Sequence, residues 1–538
     1  MVKNKKAPTF IRNVIAIVFA QIAVKLLGFV YRMVITNIDG FGDMGNGYYN
    51  FGFQIYTLLL AISSIGIPNA ISKLVSERCA LDDYKGAMRI FRVALVLFAC
   101  VGAFFSLLMF FGAQFISTKI LDAPLAVHTI RVLSPAVLFV SVSSVIRGFF
   151  AGQHNMKATN TSQVIEQFLK CLSTIIIVMA MVGSAPEYMA AGATLATTIS
   201  TLLSLGYLFI FYRMNRKDIR EKELSAPPVK IQGSGPKIAK MILWVSIPIS
   251  LGAIVASLNR IVDIMTVVRG VKSALAGVFT GDALGDEAVR LSGILSKTDV
   301  LVNLPLALNT AFSTVLVPTV AGALAVKDYE TAKSKISFSL LVSTVVALPC
   351  AIGYMVLSGP ILQMIYPNAS DGALLFTMVA PTVFFSAMSQ TIYGSLQGMG
   401  KIFVPALSVL CGGIVKVILN CILIPIPEIN IYGAAIGSIA CQATAFFISF
   451  YVLRKNLSIG LSFVKYFLKP FVAAVVMGGS ALFAHSILLK ITGNTIATLG
   501  AICFAGVIYL ALVGLLGIFS RQELSALPVI GKNFKKAE

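Results

Sequence analysis

The chain has 538 residues, 57% of them hydrophobic and only 12% charged, about half the charged share of a soluble globular domain. Mean hydropathy is +0.88, and apolar runs long enough to cross a bilayer recur from end to end, which excludes a soluble enzyme and leaves no room for a large soluble domain. The formal net charge of +21 lies mostly in alternate connections between those runs, so it reads as membrane orientation rather than as a nucleic-acid surface.

The pattern predicts an all-α polytopic membrane protein with about 14 transmembrane helices, each of about 20 residues or more. They fall near 10–34, 47–74, 88–117, 127–152, 160–182, 187–212, 238–266, 288–325, 332–357, 371–397, 402–424, 431–453, 465–489 and 496–517. A basic start, Lys3, Lys5 and Lys6, precedes the first span. The apolar stretch after it is too long for a cleaved leader, so it reads as a membrane helix. In that span Gln21, Lys25, Gly28 and Arg32 step 4, 3 and 4 residues, one stripe of a 3.6-residue helix. Asp82-Asp83 follows the second span and reads as a solvated loop rather than as a metal site. In the fifth span Gln163, Glu166, Lys170 and Thr174 form a second stripe, and Glu166 stands four residues before Lys170, the favourable order for an ion pair.

The longest connection, 213–237, is basic and then rich in Pro, Gly and Ser, which marks a linker between two six-helix lobes. The expected organisation is an N-lobe over 1–212, the linker 213–237, a C-lobe over 238–453, two further helices within 454–520 and a tail over 521–538. In the seventh span Ser246, Ser250, Ala253, Ser257 and Arg260 form a stripe, with Asp263 three residues beyond Arg260 as its expected partner. The eighth carries Ser292, Ser296, Asp299 and Asn303, with Lys297 beside them and Pro305 as a candidate kink. The tenth carries Ser386, Gln390, Tyr393 and Gln397, neutral groups suited to sugar or peptide recognition and equally to helix contact. Lys416 interrupts the eleventh. The last two spans hold almost no embedded charge.

A charge at the bilayer centre costs at least about 2.5–3.5 kcal/mol. Lys25, Arg32, Glu166, Lys170, Arg260, Asp263, Lys297, Asp299 and Lys416 are therefore expected to face a water-filled cavity or one another. Their excess is cationic, so the cavity should attract an anion. The candidate substrate-binding residues are Lys25, Arg32, Arg260 and Lys297. Glu166, Lys170, Asp263 and Asp299 are candidates for coupling or internal ion pairs, and Gln21, Asn303, Gln390 and Tyr393 for polar lining. Eight scattered Cys without a CxxC pair and three distant His argue for free thiols and against zinc. No P-loop, HExxH or GxSxG motif occurs, so no catalytic residue is expected. Membrane potential, Na+ or H+ gradients are the candidate energy sources, with no cofactor.

An internal repeat supports the two lobes. At an offset of 246 residues, Gly148 matches Gly394, Gly152 matches Gly398, Ser162 matches Ser408 and Lys170 matches Lys416. Ile67-Pro68 resembles Val317-Pro318. Lys and Arg gather in the N-tail, in the connections after the even-numbered spans and in the C-tail. The other side holds only Lys119, Arg131, Arg269, Lys272, Arg290 and Lys490. Both termini are therefore expected in the cytoplasm.

Arg147-Gly148-Phe149-Phe150-Ala151-Gly152-Gln153 through Met156, with Ser162-Gln163-Val164-Ile165-Glu166-Gln167, resembles a signature of the stage V sporulation protein B group. So do residues 25–32, Gly66-Ile67-Pro68 and Val302-Asn303-Leu304-Pro305. The group lies in the polysaccharide-transport branch of the multidrug/oligosaccharidyl-lipid/polysaccharide exporter superfamily, which includes MurJ-type lipid II flippases. The resemblance implies two lobes around a central cationic cavity. It also implies alternating access that carries an undecaprenyl-pyrophosphate-linked peptidoglycan precursor from the inner to the outer leaflet of the bacterial cytoplasmic membrane. Lys25 matches a headgroup-facing basic position of the family; at the next one this chain has Tyr31, with the charge displaced to Arg32. The implied partners are a lipid-linked glycan, membrane lipids and cell-wall synthesis proteins, with the chain working as a monomer and binding no nucleic acid. The rival readings are export of another lipid-linked oligosaccharide, cation-coupled multidrug antiport, and a non-transporting scaffold for wall synthesis during sporulation.

Overall fold

The structure is a computed structural model that describes residues 23–64, 66–153, 155–225, 234–457, 460 and 462–520. The described residues form helices and connections, with no strand among them. Among the described residues, twelve stretches are long and apolar enough to cross a membrane, as an all-α polytopic membrane protein requires. The first and eighth predicted spans add to these: α1 covers residues 23–36, and the long α10 (Asp282–Ala325) carries the stripe of Ser292, Ser296, Asp299 and Asn303. With them, each of the fourteen predicted spans has a helix among its described residues.

Contacts divide the chain into two compact units, Met1–Ser296 and Lys297–Glu538. The first contains α1, α2 (Gly42–Ser63), α3 (Ile67–Cys79), α4 (Tyr84–Phe115), α5 (Val127–Gly152), α6 (Met156–Ala180), α7 (Pro186–Met214), a short α8 (Arg216–Ser225), α9 (Gly235–Leu275) and the start of α10. Residue chemistry sets the boundaries. Pro68 stands in the first turn of α3, where its missing N–H is no loss. Asp83 caps α4 by accepting the Gly86 N–H at 2.8 Å, and its other oxygen accepts from Arg78 at 3.2 Å. The Asp82-Asp83 pair thus serves a helix terminus.

The division between the units falls at Ser296/Lys297, beyond the 213–237 linker. The seventh predicted span, α9, packs on α2, α3 and α4 instead of starting a separate lobe. Its serine stripe explains this. Ser250 accepts the Gly66 N–H at 3.1 Å, and Gly66 lies so close to the Ser246–Ser250 turn that no Cβ would fit. At the other end Lys272 pairs with Asp122 at 3.0 Å.

The second unit holds the rest of α10, then α11 (Tyr329–Val356), α12 (Ser358–Ile365), α13 (Ala373–Val379), α14 (Thr382–Gly398), α15 (Phe403–Leu423), α16 (Tyr432–Leu457), α17 (Lys469–Leu488) and α18 (Asn494–Leu515). The last two helices pack on each other and against α11 and α12. Tyr509 donates to the Val345 carbonyl at 2.7 Å and Asn494 to the Pro360 carbonyl at 3.0 Å.

The repeat is physical. One buried core contains Ile71, Val75, Phe91, Ile146, Phe150 and Leu208. The other contains Leu316, Val320, Ile336, Ile392, Leu396 and Leu453, the same positions displaced by 245 or 246 residues. The matched glycines do the same work in each unit. A Cβ on Gly148 would stand 2.9 Å from the Pro68 backbone, and one on Gly394 2.8 Å from the Ser313 carbonyl oxygen. A Cβ on Gly152 would meet the Ser72 carbonyl oxygen at 2.8 Å, and one on Gly398 the Val317 carbonyl oxygen at 2.7 Å. These contacts pair Pro68 with Ser313, so the sequence match of Pro68 to Pro318 is displaced by about one helical turn.

Candidate functional site: a buried cation–aromatic cluster

Three helices of the first unit, α1, α2 and α6, bring two cations together inside the protein. Arg32 of α1 is 9% exposed and Lys170 of α6 is 7% exposed. The Arg32 guanidinium donates to Asn46 Oδ1 at 3.0 Å and lies 4.3 Å from the centre of the Tyr49 ring. Asn46 is itself held: its amide donates to Thr36 Oγ1 at 2.7 Å and to the Gly42 carbonyl at 3.1 Å, while Thr36 donates to the Arg32 carbonyl at 2.7 Å. The Lys170 ammonium stands 4.6 Å from the Phe53 ring centre and 5.3 Å from that of Tyr31. The Tyr31 and Tyr49 hydroxyls are 3.1 Å apart and tie the two halves together.

Among the described residues, neither Arg32 nor Lys170 is in ion-pair contact with a carboxylate. Aromatic faces and one amide offset part of the cost of burying these charges. The site keeps a net positive field at low dielectric, which suits an incoming anion, and a guanidinium suits a phosphate oxygen in particular. Lys25 lies two turns from Arg32 on the same face of α1 and is exposed. At Tyr31, where the resemblance places a basic residue, the cation comes from Lys170 overhead. Gln21 lies outside the described residues.

The expected pairing of Glu166 with Lys170 is not what forms. Glu166 accepts from Arg147 of α5 at 2.7 Å, and Arg147, 7% exposed, also donates to Ser162 at 2.9 Å and to Ser204 of α7 at 3.1 Å. Three helices are thereby pinned at one buried point. The corresponding point of the second unit is neutral: Tyr393 stands at the Arg147 position, its hydroxyl accepts from Ser408 at 3.4 Å, and Ser449 donates to Ser408 at 2.9 Å.

The remaining candidates divide by environment. In α9, Ser246, Ser250 and Ser257 are buried as helix contacts, while Arg260 is exposed and donates to Ser257 at 3.2 Å; Asp263 is half-buried. In α10, Lys297 is only 2% exposed. It donates to the Ala369 carbonyl and lies over Tyr366 at 5.6 Å. It therefore ties α10 to the α12–α13 connection in this structure. Asp299 and Asn303 are exposed on another face of α10, and Asn303 donates back to the Asp299 carbonyl at 2.7 Å. Gln390 and Tyr393, with Thr310, Ser313 and Gln397, line a cavity of about 430 Å³ within the second unit. Lys416 is half-buried against the α15–α16 contact. All eight cysteines are free thiols, and no metal-holding group of His, Cys, Asp or Glu occurs among the described residues.

Sequence reasoning missed Asn46, Tyr49 and Arg147 as site residues. Arg147 did carry a signal, a lone cation in an apolar run at the repeat position of Tyr393. Asn46 and Tyr49 carried none, because a neutral side chain is recognised as a cation's partner only once the helices are docked.

The chain resembles curated proteins along its whole length. It is 24% identical to stage V sporulation protein B of Bacillus subtilis (strain 168), over 97% of this chain and 98% of that protein. It is also 24% identical to the lipid II flippase MurJ of the same organism, over 77% of this chain and 78% of that protein. Among solved structures it superposes on a lipid II flippase MurJ in an inward closed conformation with a TM-score of 0.69, at 15% identity, over 94% of this chain and 99% of that one. An inward-facing multidrug resistance MATE transporter of the MOP superfamily gives a TM-score of 0.66 at 15% identity, over 82% of this chain and 98% of that one. With residues 10–324, more than half of its length, in the match, the chain belongs to the polysaccharide biosynthesis protein family.

Proposed function

We propose that this membrane protein is a flippase that moves an undecaprenyl-pyrophosphate-linked peptidoglycan precursor, lipid II, from the inner to the outer leaflet of the bacterial cytoplasmic membrane by alternating access. The observation that carries the reading is the pair of buried cations, Arg32 and Lys170, held by aromatic rings and an amide with no carboxylate among their described contacts. A pyrophosphate is the complementary group. Lys25, exposed on the same face of α1, makes first contact. The anion then approaches Arg32, with Lys170 supplying the second positive charge behind Tyr31 and Tyr49. Arg260, also exposed, is a further contact for the headgroup. Arg147 and Glu166 hold α5, α6 and α7 together and keep Lys170 in register with α1 and α2.

Transport, not bond chemistry, is the role these groups support. A net charge carried through the membrane field couples the cycle to the potential, worth about 2.3 kcal/mol per charge per 100 mV; Na+ or H+ coupling is the rival energy source. The basic connections favour an orientation with both termini in the cytoplasm. Two buried cations disfavour cationic drugs as cargo. The lengthwise resemblance to a sporulation protein keeps another lipid-linked oligosaccharide as the second reading. Binding of purified protein to a polyprenyl-pyrophosphate-linked disaccharide tests the assignment. Arg32→Gln and Lys170→Gln should each weaken binding, and equal binding of the same lipid without its phosphates would overturn it.

A further inference from the structure

A second basic site lies apart from this cluster, where α4, α7 and α8 meet. Lys85, Arg89 and Arg92 step 4 and 3 residues along the start of α4, and Arg213, Arg216 and Arg220 step 3 and 4 across the end of α7 and into α8. Both stripes line one concavity of about 1280 Å³. Its sole acidic lining residue, Glu223, is engaged by Arg92 at 3.3 Å. Like charges one helical turn apart repel in water, so six cations beside a single carboxylate repel one another, a cost that a further anion seated among them would offset. The lining is layered as well as charged. Met88, Phe209, Ile210 and Leu224 share it with the cations, and Phe209 and Ile210 are exposed on the last turns of the spanning helix α7, just before Arg213. Ile219 anchors α8 by joining the buried core that also holds Met88 and Phe91. The hollow therefore has a cationic rim at the end of two membrane helices and an apolar wall running back along them.

We propose that this concavity binds the headgroup of an anionic glycerophospholipid from the surrounding leaflet, with its phosphodiester among Arg89, Arg216 and Arg220 and an acyl chain along Phe209 and Ile210. A soluble phosphate ester would use the cations but has no need of the apolar wall. The location at the ends of the spanning helices α4 and α7 favours the lipid.

The test is native mass spectrometry of the full-length protein from micelles doped with equal amounts of phosphatidylglycerol and phosphatidylcholine. Wild type should retain phosphatidylglycerol preferentially. R89Q/R216Q/R220Q should lose that preference by about tenfold or more, and Arg216→Glu alone should lower it in the same direction. Lys217→Gln with Lys222→Gln removes two charges of α8 that do not line the hollow and should leave the preference intact. Unchanged retention in the triple variant would overturn the site, and so would an equal loss in the Lys217/Lys222 variant, which would reveal diffuse attraction only. Displacement of the lipid by soluble glycerol 3-phosphate would assign the hollow to a soluble phosphate ester and overturn the lipid.

Discussion

Removing Glu166 should damage the first unit more than removing both charges of its ion pair. Glu166→Ala leaves the Arg147 guanidinium, on a side chain 8% exposed in the intact pair, with the Ser162 and Ser204 hydroxyls as its partners among the described residues. An uncompensated buried charge of this kind costs about 3–5 kcal/mol. Glu166 is itself 24% exposed, so water enters once the carboxylate is gone, and about 2–3 kcal/mol is the expected loss. In Arg147→Met with Glu166→Ala both charges are gone and an apolar side chain fills the hole, so the loss should fall to about 1 kcal/mol. The assay is reversible unfolding of the purified protein in mixed micelles for both singles and the double. A coupling of about 1.5 kcal/mol or more supports a structural joint among α5, α6 and α7. Additive effects, or an Glu166→Ala loss below about 0.5 kcal/mol, would refute the buried pair.

Other perturbations probe other levels of the structure. Gly148→Ala and Gly394→Ala should each destabilise by about 1–3 kcal/mol, because each new Cβ meets backbone within 3 Å; chemical unfolding of the two variants checks that repeat-related positions respond alike. Asp83→Ala should cost about 1 kcal/mol by uncapping α4, read as faster amide exchange near Gly86. The Thr331 hydroxyl and then its backbone N–H, which Asp328 accepts at 3.0 Å, hold the Asp328 carboxyl below the ordinary value, which is about 3.9. Its contribution is therefore complete above the ordinary value and lost as pH falls through the lower folded one. The acid limb of thermal stability should flatten in Asp328→Ala, as thermal midpoints across that range would show.

Much of this architecture is legible in the sequence, and the illegible part has a physical cause. Hydropathy and the 246-residue offset give the spans and the repeat, because burial of matched glycines and apolar residues leaves a trace at each position. The pairing of polar groups across helices leaves none. An i, i+4 spacing made Glu166 and Lys170 plausible partners, yet Arg147 from α5 reaches Glu166 first, and Lys170 turns to Tyr31 and Phe53. Lys297 looked like a cavity cation for the same reason, since its acceptor, the Ala369 carbonyl, is a backbone group 72 residues away. Pro68 and Pro318 attract alignment as prolines, although the contacts of Gly148 and Gly394 set the register one turn away. The α9 stripe signalled a polar face, but only the close approach of Gly66 shows that the face is a helix contact.

On the proposed function, the cations of α1 and α6 carry a lipid-linked pyrophosphate across the membrane. Leaflet-specific labelling of lipid II in native cells depleted of this protein and of other flippases tests it most directly, with rescue by wild type or by Arg32→Gln/Lys170→Gln at matched expression. Outer-leaflet lipid II should collapse on depletion, and only wild type should restore it. Full restoration by the double variant, or unchanged outer-leaflet lipid II in the depleted cells, would contradict it.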